Sequence, residues 1–237
     1  IAERGKKVCL FDADFGLANI DIMLGISARR TLMDVINSEA DLSEIILRGP
    51  GGIDIVPGAS GIEEMANIGL SRLSWIIGGM QKLEKEYDYI IFDTAAGISR
   101  TVSTFVRNCH MNVVVMTPDP ASLADAYAVL KLHGSRKAPI GVLVNQAGSS
   151  GDGEASFERL NMINRKFLRK KLEYLGALKN EKAVPCSVRS QKAVLKAYPK
   201  SSFSAGIRTL ARRIAGTGAV ENTEGGFFKK LSNSFLK

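Results

Sequence analysis

The segment Asp12-Ala-Asp14-Phe-Gly16-Leu-Ala-Asn19-Ile-Asp21 crowds acids and turn-forming residues at the end of an apolar run. On an extended chain, residues two positions apart point to one face. Asp12 and Asp14 can therefore be aimed at one centre, one toward a metal ion and the other toward an attacking water. Gly16 lets the backbone turn sharply behind them. An acidic surface loop would use similar residues, but so many polar groups at one strand end argue against it. A further acid, Asp93, closes the run Tyr89-Ile-Ile-Phe92 and precedes Thr94-Ala-Ala-Gly97. A carboxylate there can hold the water shell of a Mg²⁺ bound to nucleotide phosphates. Taken alone, it also suits a turn or a helix N-cap.

These acids need strands to carry them. Apolar runs occur at Lys7–Asp12, Ile53–Val56, Tyr89–Phe92, Met111–Met116, Ile140–Val144 and, more weakly, Tyr174–Leu178. Continuous apolar strands belong to a parallel sheet covered on both faces. Helical spacing fills the gaps: Leu73, Ile76, Ile77, Met80 and Leu83; then 122–132; then Leu160, Ile163, Phe167 and Leu168. The alternation predicts an α/β fold, a doubly wound, mostly parallel sheet with helices on both faces. Ligands of such sheets sit at the strands' carboxyl ends. That is where Asp12, Asp14, Asp93, Thr117, Asp119 and Asn145 fall. Gly148–Gly153 reads as a flexible loop, and 216–226 as a linker between a 1–215 domain and a tail at 227–237.

Composition narrows the function. The chain has 237 residues, 45% hydrophobic and 24% charged, the balance of a globular protein. Cys9, Cys109 and Cys186 are odd in number and widely spaced, which fits a reducing cytoplasm better than a disulfide framework. His110 and His133 have no zinc-site spacing to them, and Cys109-His110 reads as a helix end. No apolar run reaches membrane-spanning length. Net charge is +8, and Arg159–Lys200 holds 12 Lys/Arg against Glu173 and Glu181. Such a stretch suits nucleic acid, anionic lipid or an acidic partner, or is a solvated helix face.

The segment Asp12–Gly25 resembles the switch region of the MinD/ParA ATPases, in the version carried by the flagellar-number regulators of the FlhG/FleN type. Further similarities follow in order: Thr31–Val35, Val56–Gly61, Tyr87–Ser99, Thr117-Pro-Asp-Pro120 before Asp125-Ala-Tyr127, and Ser187–Val194 before Ala197-Tyr-Pro199. The resemblance implies a P-loop NTPase fold and a cytoplasmic ATPase that uses ATP and Mg²⁺, dimerises in the ATP state and associates peripherally with the cytoplasmic membrane. By it, Asp14 positions the attacking water, Asp12 supports the Mg²⁺ and the phosphate loop, and Asp93 is the Walker B acid. With Asp12, Gly16 is implied to be among the ATP-binding residues. Asn145 and Glu181 fall where the family contacts the base, with Lys179 and Glu181 replacing the family's Pro and Asp. Implied partners are a flagellar GTPase of the signal-recognition type, switch-complex proteins or a flagellar transcription regulator. Alternatives are a ParA-type partition ATPase on DNA, a MinD-type division ATPase or a degenerate scaffold. Ala18, where division MinD typically carries Arg, favours the flagellar branch.

The family's Lys-Gly-Gly-x-Gly-Lys-[Ser/Thr] loop has no match in the sequence. Gly5-Lys-Lys7 reads instead as a helix end with a Gly stop. The expectation is a chain that starts after the family's first strand and phosphate loop, and that alone neither binds ATP tightly nor folds robustly. Phe227, Leu231 and Phe235 recur every four residues, with Phe228 and Leu236 beside them and Lys229, Lys230 and Lys237 flanking. That is the pattern of an interfacial amphipathic helix. The alternative is a tail helix folded onto its own domain.

Overall fold

All six apolar runs form strands. The computed structural model describes residues 1–15, 17–37, 39–58, 74, 77–132, 138–216 and 226–235. Its residues pack as two compact units: 1–96 with 188–196 and 221–237, and 97–187 with 197–220.

The first unit opens with a 3-10 turn, Ala2–Arg4, stopped by Gly5 at φ 78°, the expected glycine stop. Then come β1 (Val8–Ala13), α1 (Ile20–Leu24), α2 (Leu32–Ile36), α3 (Leu42–Ile45), β2 (Leu47–Arg48) and β3 (Asp54–Val56). After these follow α4 (Leu83–Glu86) and β4 (Tyr89–Thr94). The short helices start where side chains replace missing backbone partners. Thr31 accepts from the Met33 N–H, and Asp34 returns a bond to the Thr31 N–H at 2.6 Å. The sheet order is β2-β3-β1-β4. β1 runs parallel to both neighbours, while the two-residue β2, not expected from the sequence, pairs antiparallel with β3. Phe11, Ile55, Val56, Ile77, Met80 and Leu83 are buried, so the helical spacing before Tyr89 is a core stripe. Leu73 and Ile76 of that stripe lie outside the described residues.

The second unit contains α5 (Arg100–Asn108), β5 (Asn112–Met116), α6 (Pro120–Leu132), β6 (Ile140–Ala147) and α7 (Ser150–Phe167). It continues with β7 (Leu172–Lys179), α8 (Ala183–Arg189), whose last two residues fall in 188–196 of the first unit, and, after α9 (Val194–Ala197), which belongs to the first unit except for Ala197, α10 (Ser202–Gly216). Cys109 caps α5, as the Cys109-His110 pair suggested. β5, β6 and β7 form an all-parallel sheet in that order. Val114, Met116, Leu130, Val142, Val144 and Leu160 build its core. The last helix, α11 (Phe227–Phe235), packs with the first unit.

Two expectations need correction. Gly148–Gly153 is not a loose loop, because α7 begins within it at Ser150. The Ser149 hydroxyl accepts the Asp152 N–H at 3.1 Å, and Asp152 accepts the Gly148 N–H at 3.0 Å. Gly153 is there for packing: a Cβ on it would sit 2.3 Å from the Ala177 Cβ. Phe167 is not on the buried stripe of α7 but 62% exposed, while Leu160 is fully buried. Among the described residues, no helix is long and apolar enough to cross a membrane.

Gly153→Ala separates helix propensity from packing. Propensity favours Ala by about 1 kcal/mol, whereas overpacking costs about 1–3 kcal/mol. Urea unfolding of the variant is expected to show a lowered midpoint; a raised one would mean β7 can yield to α7.

Candidate functional site

The parallel pairing of β1 and β4 sets Asp12 directly opposite Asp93. Neighbouring strands lie about 4.8 Å apart, so two carboxylates share one sheet end. Asp14 follows within the same turn. The Asp12 side chain is only 2% exposed. It survives burial by accepting three backbone N–H groups: Asp14 at 3.2 Å, Asn19 at 3.1 Å and Ile20 at 3.3 Å. Asp12 thus closes the loop that carries Asp14 and caps the start of α1. Within the loop, Asp14 accepts the Leu17 N–H at 3.0 Å. Gly16 lies outside the described residues.

Burial pushes the Asp12 carboxyl above the usual carboxylate range; its three N–H donors pull it back and the charge of Asp93 adds to the rise. Asp93 is also raised, first by loss of solvation and then by the negative charge of Asp14. Its surface still meets solvent. Crowded, partly desolvated acids of this kind are relieved by a cation. Among the described residues, no group of three or more His, Cys, Asp or Glu side chains can hold a metal by itself. Mg²⁺ is ordinarily bound by one or two carboxylates, with phosphate and water oxygens completing its shell. The acids fit that partial role. Asp93 has the more open carboxylate, and Asp12 has most of its acceptor positions already filled.

Gly58 is a residue that sequence reasoning passed over within the Val56–Gly61 match. A Cβ there would lie 3.2 Å from the Asp12 carboxyl carbon and 2.6 Å from the Ala18 Cβ. Its lack of a side chain is what admits Asp12 and Ala18 to that corner.

Asn145 and Glu181 lie in the second unit, Asn145 near the end of β6 and Glu181 two residues beyond the adjacent β7. The two strand ends are tied by the Asn180 N–H donating to the Ala147 carbonyl at 3.1 Å. Asn145 does not end its strand, as the apolar run suggested. β6 continues to Ala147 through an irregularity at Gln146, whose φ is 55°. Glu181 accepts the Ser202 hydroxyl and the Phe203 N–H, both at 2.8 Å, and so caps α10. Those bonds hold its carboxyl below the usual range.

The tail helix α11 is docked. Phe227, Phe228 and Leu231 are 8%, 0% and 0% exposed. Phe227 and Phe228 meet the Phe92 ring at centroid distances of 5.3 and 6.0 Å, one residue before Asp93. The Glu84 carboxylate accepts the Phe228 N–H at the first turn, and the hydroxyls of Ser74 and Ser232 lie 2.7 Å apart. Glu84 and Ser74 could not have been linked to the tail from the sequence, being 144 and 158 positions from their partners. Phe235 lies in α11, with its side chain outside the described residues.

A parallel α/β architecture with carboxylates gathered at adjacent strand ends places the acids where ligands of such sheets bind. Residues 14–214 match the family described as cellulose biosynthesis protein BcsQ. The chain is 36% identical over 218 residues to the antiactivator FleN of Pseudomonas aeruginosa, covering 90% of this chain and 77% of that protein. It is 34% identical over 237 residues to the flagellum site-determining protein YlxH of Helicobacter pylori, covering 97% and 80%. In fold it is similar to the septum site-determining protein MinD of Pyrococcus horikoshii, solved with Mg-ADP, at a TM-score of 0.75 and 22% identity, covering 91% of this chain and 86% of that one. The chain belongs to the MinD/ParA family of ATPases, and flagellar regulators are among its relatives.

The raised Asp93 has a consequence for stability. Between the unfolded and folded pKa values the native state binds more protons, so stability falls as pH rises through that window and the cost is complete at neutral pH. Asp93→Asn removes the charge and its cost. Thermal melts are expected to show the variant above wild type at pH 7, the gap closing as pH falls toward about 3.9, the ordinary aspartate value. A variant less stable than wild type at pH 7 would contradict the electrostatic account.

Proposed function

We propose that the protein is an ATP-hydrolysing dimer switch that regulates flagellar number or placement through reversible attachment to the inner face of the cytoplasmic membrane. The observation that carries the catalytic part is the acid cluster of Asp12, Asp14 and Asp93 at the ends of β1 and β4. Asp14, on the turn beyond the strand, orients the attacking water toward the γ-phosphate. Asp93 holds water of the Mg²⁺ shell. Asp12 fixes the turn that carries Asp14 and so links strand end to switch. The metal, when bound with nucleotide, supplies charge neutralisation at the phosphates. Asn145 and Glu181 stand by for the base side, Glu181 chiefly by ordering the start of α10.

The flagellar assignment is supported by similarity to the antiactivator FleN and to YlxH, both above 30% identity over most of their length. Expected partners are therefore a second copy of the chain and a flagellar GTPase, switch-complex protein or transcription regulator. The membrane step is supported by α11. The face that holds Phe227, Phe228 and Leu231 against the first unit is the face an interfacial helix inserts into lipid. Docking and insertion therefore exclude each other. Each such side chain contributes about 1.5–3 kcal/mol when buried, so one tail binds lipid weakly after undocking. Two tails on one dimer gain by effective concentration.

ATP turnover by the full-length protein, beside its Asp14→Ala variant, tests the catalytic assignment. The variant is expected to lose about a hundredfold or more, the range for a positioned proton acceptor; equal turnover would sink it. Co-sedimentation with anionic vesicles tests the tail. Removing 226–237 is expected to abolish binding. Glu84→Ala, which loosens the dock without touching the apolar face, is expected to raise binding in the absence of nucleotide; no change would show that Glu84 does not restrain the tail.

A further inference from the structure

We infer that Gln191 is a positioning residue for Asp14: it clasps the carboxyl end of α1 and so holds that helix in the register that aims the Asp14 carboxylate. The inference rests on the ATPase reading above. Helix α1 has five residues, too few to be stable by itself. Of its apolar side chains, Ile20 is buried and Leu24 half-buried, whereas Ile22 and Met23 are 57% and 44% exposed. So few buried side chains leave the helix dependent on how its two ends are held. Asp12 holds the first end through the Asn19 and Ile20 N–H groups. At the other end the chain reverses at Gly25, with φ 64°, and Ile26 donates back to the Asp21 carbonyl at 2.9 Å.

That reversal is gripped from 169 positions away. The Gln191 side-chain amide donates to the Ile22 carbonyl at 2.8 Å. Gln191 itself has φ 52°, one of three non-glycine residues in the left-handed region among those described. An L-residue held there is strained, and its surroundings must return the cost. Its own N–H donates to the Val188 carbonyl at 2.9 Å, which fixes the turn that presents the side chain. The fit is close on both sides: a Cβ at Gly25 would lie 3.1 Å from the Gln191 Cβ and 3.2 Å from its carbonyl oxygen. Residues 188–196 pack with the first unit, although the chain on either side of them belongs to the second. A surface turn needs none of this. A clasp on the switch helix needs all of it.

Two variants of the full-length protein separate the clasp from mere turn structure. Gln191→Gly keeps the left-handed backbone without strain but removes the donor; Gln191→Met keeps the side-chain length and removes the donor. Both are expected to lower kcat about two- to tenfold, the span of one net hydrogen bond, with KM for ATP unchanged. Both are expected to speed amide exchange locally over 17–25, while the melting temperature of Gln191→Gly stays at or above that of wild type. Unchanged exchange over 17–25, or exchange rising across the whole chain together with a lowered melting temperature in Gln191→Gly, overturns the inference. So does an unchanged kcat, or a KM that moves as much as kcat. If the wild-type full-length protein turns over no ATP, the ATPase reading has failed. The exchange data then judge the clasp alone, a local rise upholding it and no change overturning it.

Discussion

The carboxylate of Asp12 is almost wholly buried at the end of β1, and it is tolerated there because three backbone N–H groups converge on it. A buried acid without such donors would be protonated or would unfold its surroundings. The need to satisfy it constrains the backbone that follows β1. The turn must bring the Asp14, Asn19 and Ile20 amides inward, which sets the position of Asp14 and the start of α1. Gly58 is the complementary requirement just beyond the neighbouring strand β3, since a side chain there would press on Asp12 and Ala18. Strand pairing then supplies Asp93 in register. Remove the Asp12 bonds and the remaining acids lose their common frame.

The same corner is connected to the tail through aromatic packing. Phe11 of β1 and Phe92 of β4 have centroids 5.3 Å apart, and Phe92 carries both Phe227 and Phe228 of α11. The ring that seats the tail thus belongs to the residue preceding Asp93. Rings at these distances form one packed cluster, so a shift of β4 is felt by α11 without any further linkage. Glu84 adds a charge at the amino end of α11, the position where a carboxylate stabilises a helix.

Much of this was legible in the chain itself. The apolar runs marked all six principal strands, as expected for a parallel sheet, although Ile91 of β4 and Val113 and Val115 of β5 are exposed among the described residues. Asp12 and Asp14 stood out because polar residues crowd at one strand end, and Asp93 because it closes an apolar run. The start of α7 was misread as a loop because Gly148–Gly153 is rich in glycine and serine. The Ser149 and Asp152 caps, together with the close approach of Gly153 to Ala177, outweigh the local propensity. Phe167 fitted a helical stripe by spacing, yet spacing fixes only which residues share a face, not where the buried face ends.

The sequence by itself determined the alternation of strands and helices, the acids that could do chemistry and the amphipathic character of the tail. These follow from side-chain type and short-range period, which are local properties. The tertiary structure alone decided that Asp12 spends its oxygens on backbone amides, that Gly58 makes room for it, that Gln191 reaches Ile22 and that the apolar face of α11 lies on Phe92. The Asp12 bonds span only two to eight positions but depend on how the turn folds inward, and the others join groups far apart in the chain. Such contacts are set by packing and hydrogen-bond satisfaction in three dimensions, and no residue pattern along the chain records them.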